Sequence, residues 1–445
     1  MLTENAENPA TQTPPREKPT RKRFAILAMI FVTVVINYMD RANLSIAATA
    51  LSGELELNSE QMGAIFAAFG ITYSISQIPG GVIVDLMRSR ILYPIILIGW
   101  SLATLLQGFA NSVLLIMGCR WAIGIFEAPS YPINNKVATN WFPENERASA
   151  IGIYTSGQFL GIAFLMPVLT LIQAQYGWRG LFIISGLVGI VWGVIWYFFY
   201  RDPDEHKGVN DAELKIISDG GGYNKDEVKP ATDKTKGKGF NWGDLKQTLI
   251  HRKLWGIYIG QFCLGGVTIF FMTWFPKYLV DYRGLDFIKS GYLASLPFIA
   301  AFIGILLSGF SSDFLVKSGL SKEVARKSPI ILGMLLSTSI IGANYTESTF
   351  WIMAFMSLAF FGIGLASIAW VFVSLLAPQG KVGLVGGTFN FIGGLSAFVI
   401  PYAIGVLAKG GQFEPALVFV ASLGLIGTCS YLFLVGKVER IVPKG

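Results

Sequence analysis

Arg120-Trp-Ala-Ile-Gly-Ile-Phe-Glu127-Ala-Pro129 sets an arginine and a glutamate inside an apolar run, Ser112 to Ser130, that reads as a membrane-spanning helix. A charge at mid-bilayer costs at least ~2.5–3.5 kcal/mol on insertion scales. The two residues are nearly two turns apart, so they leave about the same side of one helix roughly 10 Å from each other. A direct ion pair does not cover that distance. Each must find its partner on another helix or in a bound ligand, and the rest of the chain reads as the scaffold that makes both charges tolerable.

Composition supports a membrane setting. Of 445 residues, 53% are hydrophobic and only 14% charged, against about 25% charged in soluble globular proteins. The apolar material comes in repeated runs of 18 or more residues, each long enough to cross a ~30 Å hydrocarbon core as a helix. Both histidines, His206 and His251, fall in one hydrophilic stretch, so proton chemistry inside the membrane must use carboxylates. Cys119, Cys263 and Cys429 all lie within apolar runs and read as small packing residues without a disulfide framework. The net charge of +7 follows membrane topology and says nothing of nucleic acid. No nucleophile–base set, metal-ligand cluster or phosphate loop is visible, which argues against an enzyme, a metal or a cofactor.

The runs predict an all-α polytopic membrane protein with twelve transmembrane helices in two pseudo-symmetric six-helix halves. Residues 1–23 form a basic disordered leader ending in Arg21-Lys-Arg23. The spans are placed at about 24–49, 60–84, 91–110, 112–136, 148–172 and 178–200, making an N-terminal half over 24–200. They resume at about 254–280, 290–315, 327–344, 348–377, 382–408 and 414–436, making a C-terminal half over 254–436 before a tail, 437–445. Between the halves, 201–253 is a Lys-, Asp- and Gly-rich linker holding Asp219-Gly-Gly-Gly222, Lys234-Thr-Lys-Gly-Lys238 and room for a short surface helix. With the N-terminus inside, 27 of the 35 Lys and Arg fall on cytoplasmic segments and five on external loops. That asymmetry puts both termini and the linker in the cytoplasm.

The halves echo each other. Gly81-x-x-x-Asp85 ends the second span and Gly309-x-x-x-Asp313 the eighth, 228 residues later. The fifth span carries Gly157, Gly161 and Pro167; the eleventh carries Gly386, Asn390, Gly393 and Pro401 at a similar offset. Parallel repeats around a site near mid-membrane are the layout of a secondary transporter.

Counting along the spans sets Asp40, Arg41 and Arg120 at similar depth, with Glu127 about two turns nearer the cytoplasm. One reading has Asp40–Arg41 and Arg120–Glu127 merely neutralising each other across helix contacts. Buried ion pairs are poor stabilisers, and intramembrane ionisable groups mark pathways by default. The functional reading therefore assigns the arginines to an anionic substrate, whose carboxylate a guanidinium fork matches, and the two acids to protons. With both acids ionised the four groups sum to zero; a bound carboxylate leaves −1, and one proton restores neutrality. Tyr73, Gln77, Gln158, Ser367, Trp370 and Asn390 are further polar or amphipathic residues within spans, suited to a hydroxylated ligand. Pro129 and Pro132 are expected to kink the fourth span beside Glu127. Lys136 reads as a residue reaching for the interface. Asp85, Arg88 and Arg90 at the inner end of the second and third spans, with Asp313 in the second half, are candidate gating residues that hold helix ends together and release them when the inner face opens.

Several stretches make the chain similar to the major facilitator superfamily over nearly its whole length, and to its anion:cation symporter branch of sugar-acid carriers. They are Asn37-Tyr-Met-Asp-Arg-Ala-Asn43, Phe126-Glu-Ala-Pro129, Trp141-Phe-Pro-Glu-Asn-Glu-Arg-Ala148, Tyr154-Thr-Ser-Gly-Gln158, Ala366-Ser-Ile-Ala-Trp370 and Gly386-Gly-Thr-Phe-Asn390. The resemblance implies alternating-access symport of a sugar acid with protons, D-galactonate before glucarate or a hexuronate, by a monomer in a bacterial cytoplasmic membrane. It implies proton-coupling roles for Asp40 and Glu127. Substrate contacts would come from Arg41, Tyr73, Arg120, Gln158, Ser367, Trp370 and Asn390. The chain departs from the superfamily's G-x-x-x-D-R-x-G-R loop by Leu86 and Arg88, and from related galactonate carriers by Ala369, where they carry threonine. The competing readings are a drug:proton antiporter of the same superfamily and a membrane sensor without transport.

Overall fold

The computed structural model describes residues 18–223, 248–378 and 382–441, and among these every regular element is helical. The first crossings are α1 (Lys22–Glu54), α2 (Ser59–Leu86), α3 (Ser89–Gln107) and α4 (Val113–Trp141). A single assignment, Glu144–Phe199, covers 56 residues, or about 84 Å of helix, far more than one ~30 Å core accepts. Gly177 interrupts it with φ 69° and ψ 175°, a conformation that costs glycine nothing. The run is therefore two crossings, α5 (144–176) and α6 (178–199). The second set is α7 (Arg252–Thr273), α8 (Phe287–Lys317), α9 (Lys322–Ser337, continued to Tyr345 as a 3-10 turn), α10 (Thr349–Leu376, with a 3-10 turn over Ser367–Trp370), α11 (Val382–Leu407) and α12 (Glu414–Cys429). Among the described residues eleven helices are long and apolar enough to cross a membrane; dividing the one at Gly177 gives the expected twelve.

The bundle surface is itself apolar. Ile95, Leu102 and Leu106 on α3, Phe164 and Val168 on α5, and Val191 and Phe198 on α6 are exposed, as lipid-facing side chains would be. Cys119 and Cys263 are buried, as packing residues should be, but Cys429 is exposed; it corrects the expectation for that position, because it falls on the outward side of α12.

The two broadest contacts between the first six crossings and the last six are the same contact twice. α2 meets α11, where a Cβ on Gly63 would stand 2.7 Å from the Pro401 carbonyl oxygen and one on Gly70 would strike the Ala397 backbone. α5 meets α8, where a Cβ on Gly291 would strike the Thr170 side chain. Exchanging the halves turns one pair into the other. Both lie towards the end away from the termini, and polar bonds reinforce that end. Thr49 donates to Asp281 at 2.6 Å, Ser59 and Tyr282 hydroxyls meet at 3.0 Å, and Tyr402 and Lys409 reach Glu60 at 3.4 Å.

At the terminal end the first six crossings are braced by the chain that follows them. The helix Asp211–Asp219 docks there rather than floating as a linker. Its Glu213 is fully buried, accepting from the backbone N–H of Lys22 (2.8 Å) and Arg23 (3.1 Å), from the Thr20 hydroxyl and from the Arg23 guanidinium. Arg23 also pairs with Glu146 at 2.9 Å. Asp219-Gly-Gly-Gly222 folds back so that Glu144 N–H donates to Gly220 and Tyr223 N–H to Asn140. The Lys234–Lys238 stretch and the leader residues 1–17 lie outside the described residues.

Candidate functional site

Asp40 and Arg41 are neighbours in α1, so their side chains leave it about 100° apart, and this sends them to different places. Asp40, 0% exposed, faces α3. Its Oδ1 accepts from Asn43 at 3.3 Å, Trp100 and Thr104 approach its carboxylate, and its Oδ2 has no hydrogen-bond partner. Arg41 turns towards α2 and α4. Its Nε donates to Glu127 Oε1 at 2.5 Å, and its guanidinium carbon lies 4.8–4.9 Å from the ring centroids of Tyr38, Phe69 and Tyr73.

Glu127 is 0% exposed, with Oε2 unpartnered. The break its neighbouring proline was expected to cause is present: α4 runs as helix to Glu127 and restarts at Ser130, since Pro129 cannot donate the next ladder bond. Pro132 sits inside the restarted helix without a second break. Arg120 is buried, with its guanidinium carbon 5.0 Å from the Phe69 centroid and with Nε and Nη1 unpartnered. One aromatic ring, Phe69, thus supports both guanidinium groups. α4 comes this close to α2 because Gly124 has no side chain; a Cβ there would meet the Phe69 carbonyl oxygen at 2.7 Å and strike the Thr72 hydroxyl.

The only ion pair in this cluster, among the described residues, is Arg41–Glu127. Neither Asp40–Arg41 nor Arg120–Glu127 is formed. Depth counting set Arg41 level with Arg120 and above Glu127; the long arginine side chain spans the difference, which helix positions alone do not capture. Arg41, half-buried, is therefore paired, and Arg120, buried, is not.

Gln158 belongs to the same region: its Oε1 accepts from Tyr38 at 2.9 Å and from Tyr131 at 3.3 Å. Tyr73 stacks on Phe69 with centroids 5.2 Å apart. Sequence reasoning missed Tyr38, Phe69 and Tyr131. Tyr38 stood two residues before Asp40 and Phe69 one turn before Tyr73, and both looked like ordinary packing aromatics. Ser367 and Trp370 begin and end the 3-10 turn of α10, a mid-helix irregularity of the kind found at hinges. Trp370 is 46% exposed and meets Phe389 edge-on at 5.0 Å. It also lies beside Gly386, one turn from the exposed Asn390 on α11. No hydrogen bond, ion pair or ring contact among the described residues joins these three to the arginine cluster.

Of the candidate gating residues, Asp85 is exposed and lines a groove of about 420 Å³ with Asn135, Lys136 and Asn140. It makes no ion pair among the described residues. Arg88 instead pairs with Asp202 (3.4 Å) and Glu205, beyond α6, and Arg90 lies 5.3 Å from the Tyr197 ring centroid. The side chain of Asp313 lies outside the described residues. The Lys136 ammonium donates to the carbonyls of Val84 (2.6 Å) and Met87 (3.0 Å), closing the C-terminus of α2.

Twelve crossings in two interlocked sets around buried charges define a membrane carrier fold, and residues 30–401 match the Major Facilitator Superfamily. The chain belongs to that superfamily. It is 48% identical over 431 residues to the D-galactonate transporter of Escherichia coli, covering 95% of this chain and 98% of that protein. It is 40% identical over 437 residues to a protein of Bacillus subtilis described as a probable galactarate/D-glucarate transporter, covering 97% and 95%. Among solved structures, a D-xylose–proton symporter superposes with a TM-score of 0.68 at 14% identity, over 94% of this chain and 98% of that one. This last likeness concerns the fold alone.

Proposed function

We propose that the protein is a secondary active transporter importing a sugar-acid monoanion, D-galactonate before other aldonates, by symport with protons through alternating access. It works as a monomer in the cytoplasmic membrane of a bacterium, termini inside, with the halves 24–200 and 254–436 rocking about a site between them. The observation that carries this reading is Arg120, a guanidinium buried with two unpartnered nitrogens. A cation in that state calls for an anion, and a carboxylate fits its fork. The relatives at 48% and 40% identity supply the substrate class: both are described as sugar-acid carriers.

The Arg41–Glu127 pair gives the coupling a physical form. While Glu127 is ionised it occupies Arg41; once protonated it no longer competes, and Arg41 is free for the substrate carboxylate beside Arg120. Proton and anion then favour each other, as linkage requires. Tyr73 and Gln158 offer hydroxyl and amide partners on this side, and Ser367, Trp370 and Asn390 close on the sugar chain from the other half. Bonds between the halves gather at the end away from the termini, which fits a carrier open to the cytoplasm with Asp85 released. Proteoliposomes under an inward proton gradient should accumulate D-galactonate. Export of lipophilic cations without galactonate uptake would replace this reading with the antiporter.

A further inference from the structure

One face of α3 carries polar side chains that neither the fold nor the substrate site uses. Trp100, Ser101, Thr104 and Gln107 are all 1% exposed or less. Trp100 Nε1, Ser101 Oγ, Thr104 Oγ1 and both amide atoms of Gln107 have no hydrogen-bond partner. Trp100, Thr104 and Gln107 follow the i, i+4, i+7 spacing of a single stripe, about 10 Å long. Ser101 sits beside it, against Gly189 of α6. Leaving a buried polar group unsatisfied is costly, so four such side chains together are a poor packing solution. Buried polar groups of this kind ordinarily hold ordered water.

The stripe has two definite ends. At the inner end is Asp40, whose carboxylate Trp100 and Thr104 approach and whose Oδ2 is unpartnered. At the other end Gln107 is the last residue of α3, on the side away from the termini. The loop that follows is held by Arg179, which donates to the carbonyls of Gly108 (3.2 Å) and Ala110 (2.7 Å) and pairs with Glu54 at 2.7 Å. Arg41 meets Glu127 on a different side of α1, about 100° round the helix from Asp40.

We infer that Asp40 exchanges protons with the outer surface through a water-lined path along Trp100, Ser101, Thr104 and Gln107, inside the first six crossings and apart from the substrate's route. The inference rests on the symport reading above. Its chemistry balances: a hydronium at the outer end gives up a proton, each hop breaks one O–H bond as the next forms, and Asp40 Oδ2 ends with the new O–H bond. Thr104 and Ser101 hydroxyls both accept and donate, so they can pass a proton on. Trp100 N–H only donates, and it and the Gln107 amide hold water in line. The charged groups facing Asp40 are Arg120 and Glu127 of α4; Arg41 points away to Glu127, while the Ser185 hydroxyl of α6 donates to the Leu181 carbonyl at 2.7 Å and reaches Asn43 at 3.3 Å.

The test uses the full chain in proteoliposomes with labelled D-galactonate. Thr104→Val and Gln107→Leu should each slow uptake driven by a pH gradient about tenfold or more, as loss of a positioned proton-transfer group does. Galactonate counterflow at equal pH should be unchanged, because exchange needs no net proton movement, and Thr104→Ser should restore gradient-driven uptake. Gradient-driven uptake at the wild-type rate in both variants would overturn the path alone, as would counterflow falling in step with uptake. Wild-type liposomes that ignore the gradient would overturn the symport reading and the path with it.

Discussion

On the proposed symport, replacing Glu127 with glutamine should separate anion binding from proton coupling. In the wild-type chain the Arg41 guanidinium is held by Glu127, Nε to Oε1 at 2.5 Å, in a site where the carboxylate is fully buried. A hydrogen bond to a charged partner contributes ~1.5–3 kcal/mol net. A substrate carboxylate that must first displace Glu127 gives up an interaction of that size. Glu127→Gln keeps the shape and removes the charge, so at alkaline pH it should bind D-galactonate about 10- to 150-fold more tightly than wild type. At acidic pH, where wild-type Glu127 is itself protonated, the two affinities should converge. Calorimetric titration at both pH values measures this directly. The same variant should exchange galactonate in counterflow yet fail to concentrate it against a gradient, because the competing proton site is gone. Weaker galactonate binding by the variant at alkaline pH would refute the competition, and normal accumulation would return Glu127 to a structural part.

Arg120→Lys keeps the charge but loses the planar fork, and should cost about 10-fold or more in galactonate affinity by calorimetry; unchanged affinity would remove Arg120 from the site. Gly63→Val forces a branched side chain against the Pro401 carbonyl oxygen, 2.7 Å from the added Cβ. It should keep the α2–α11 contact from closing, read as longer spin-label distances across that end and as lost uptake. Glu213 is a pH-dependent clasp outside the membrane. Burial alone would raise its pKa, but the bonds from Thr20, Lys22 and Arg23 outweigh it and hold the carboxyl below the usual range. A depressed folded-state pKa stabilises above the unfolded value and is lost as pH falls through the folded one. Glu213→Gln should therefore lower the melting temperature at neutral pH, with the difference shrinking below about pH 4; an equal deficit at every pH would assign the loss to packing.

The expected fold was readable because each crossing needs its own apolar run, and a run's length against the bilayer is a local property. The same logic picked out Asp40, Arg41, Arg120 and Glu127, since a charge in such a run is conspicuous wherever it points. Tyr38, Phe69 and Tyr131 escaped notice because an aromatic in an apolar run is ordinary until its neighbours are known. The docking of Asp211–Asp219 was hidden for the converse reason: its anchor, Glu213, looks like one more acid in a charged linker until burial gives it four donors.

Run lengths and the placement of charges along the chain are enough to give the number of crossings, the near-repetition of the halves and the four charges that make one helix pair unlike the rest. Tertiary structure alone decided who partners whom. Two neighbours in α1 diverge by about 100°, so Asp40 goes to the polar face of α3 and Arg41 goes to Glu127, while Arg120 is left buried with nitrogens to spare. Side-chain length and helix rotation set those pairings, and neither is written in the spacing of charges along a chain.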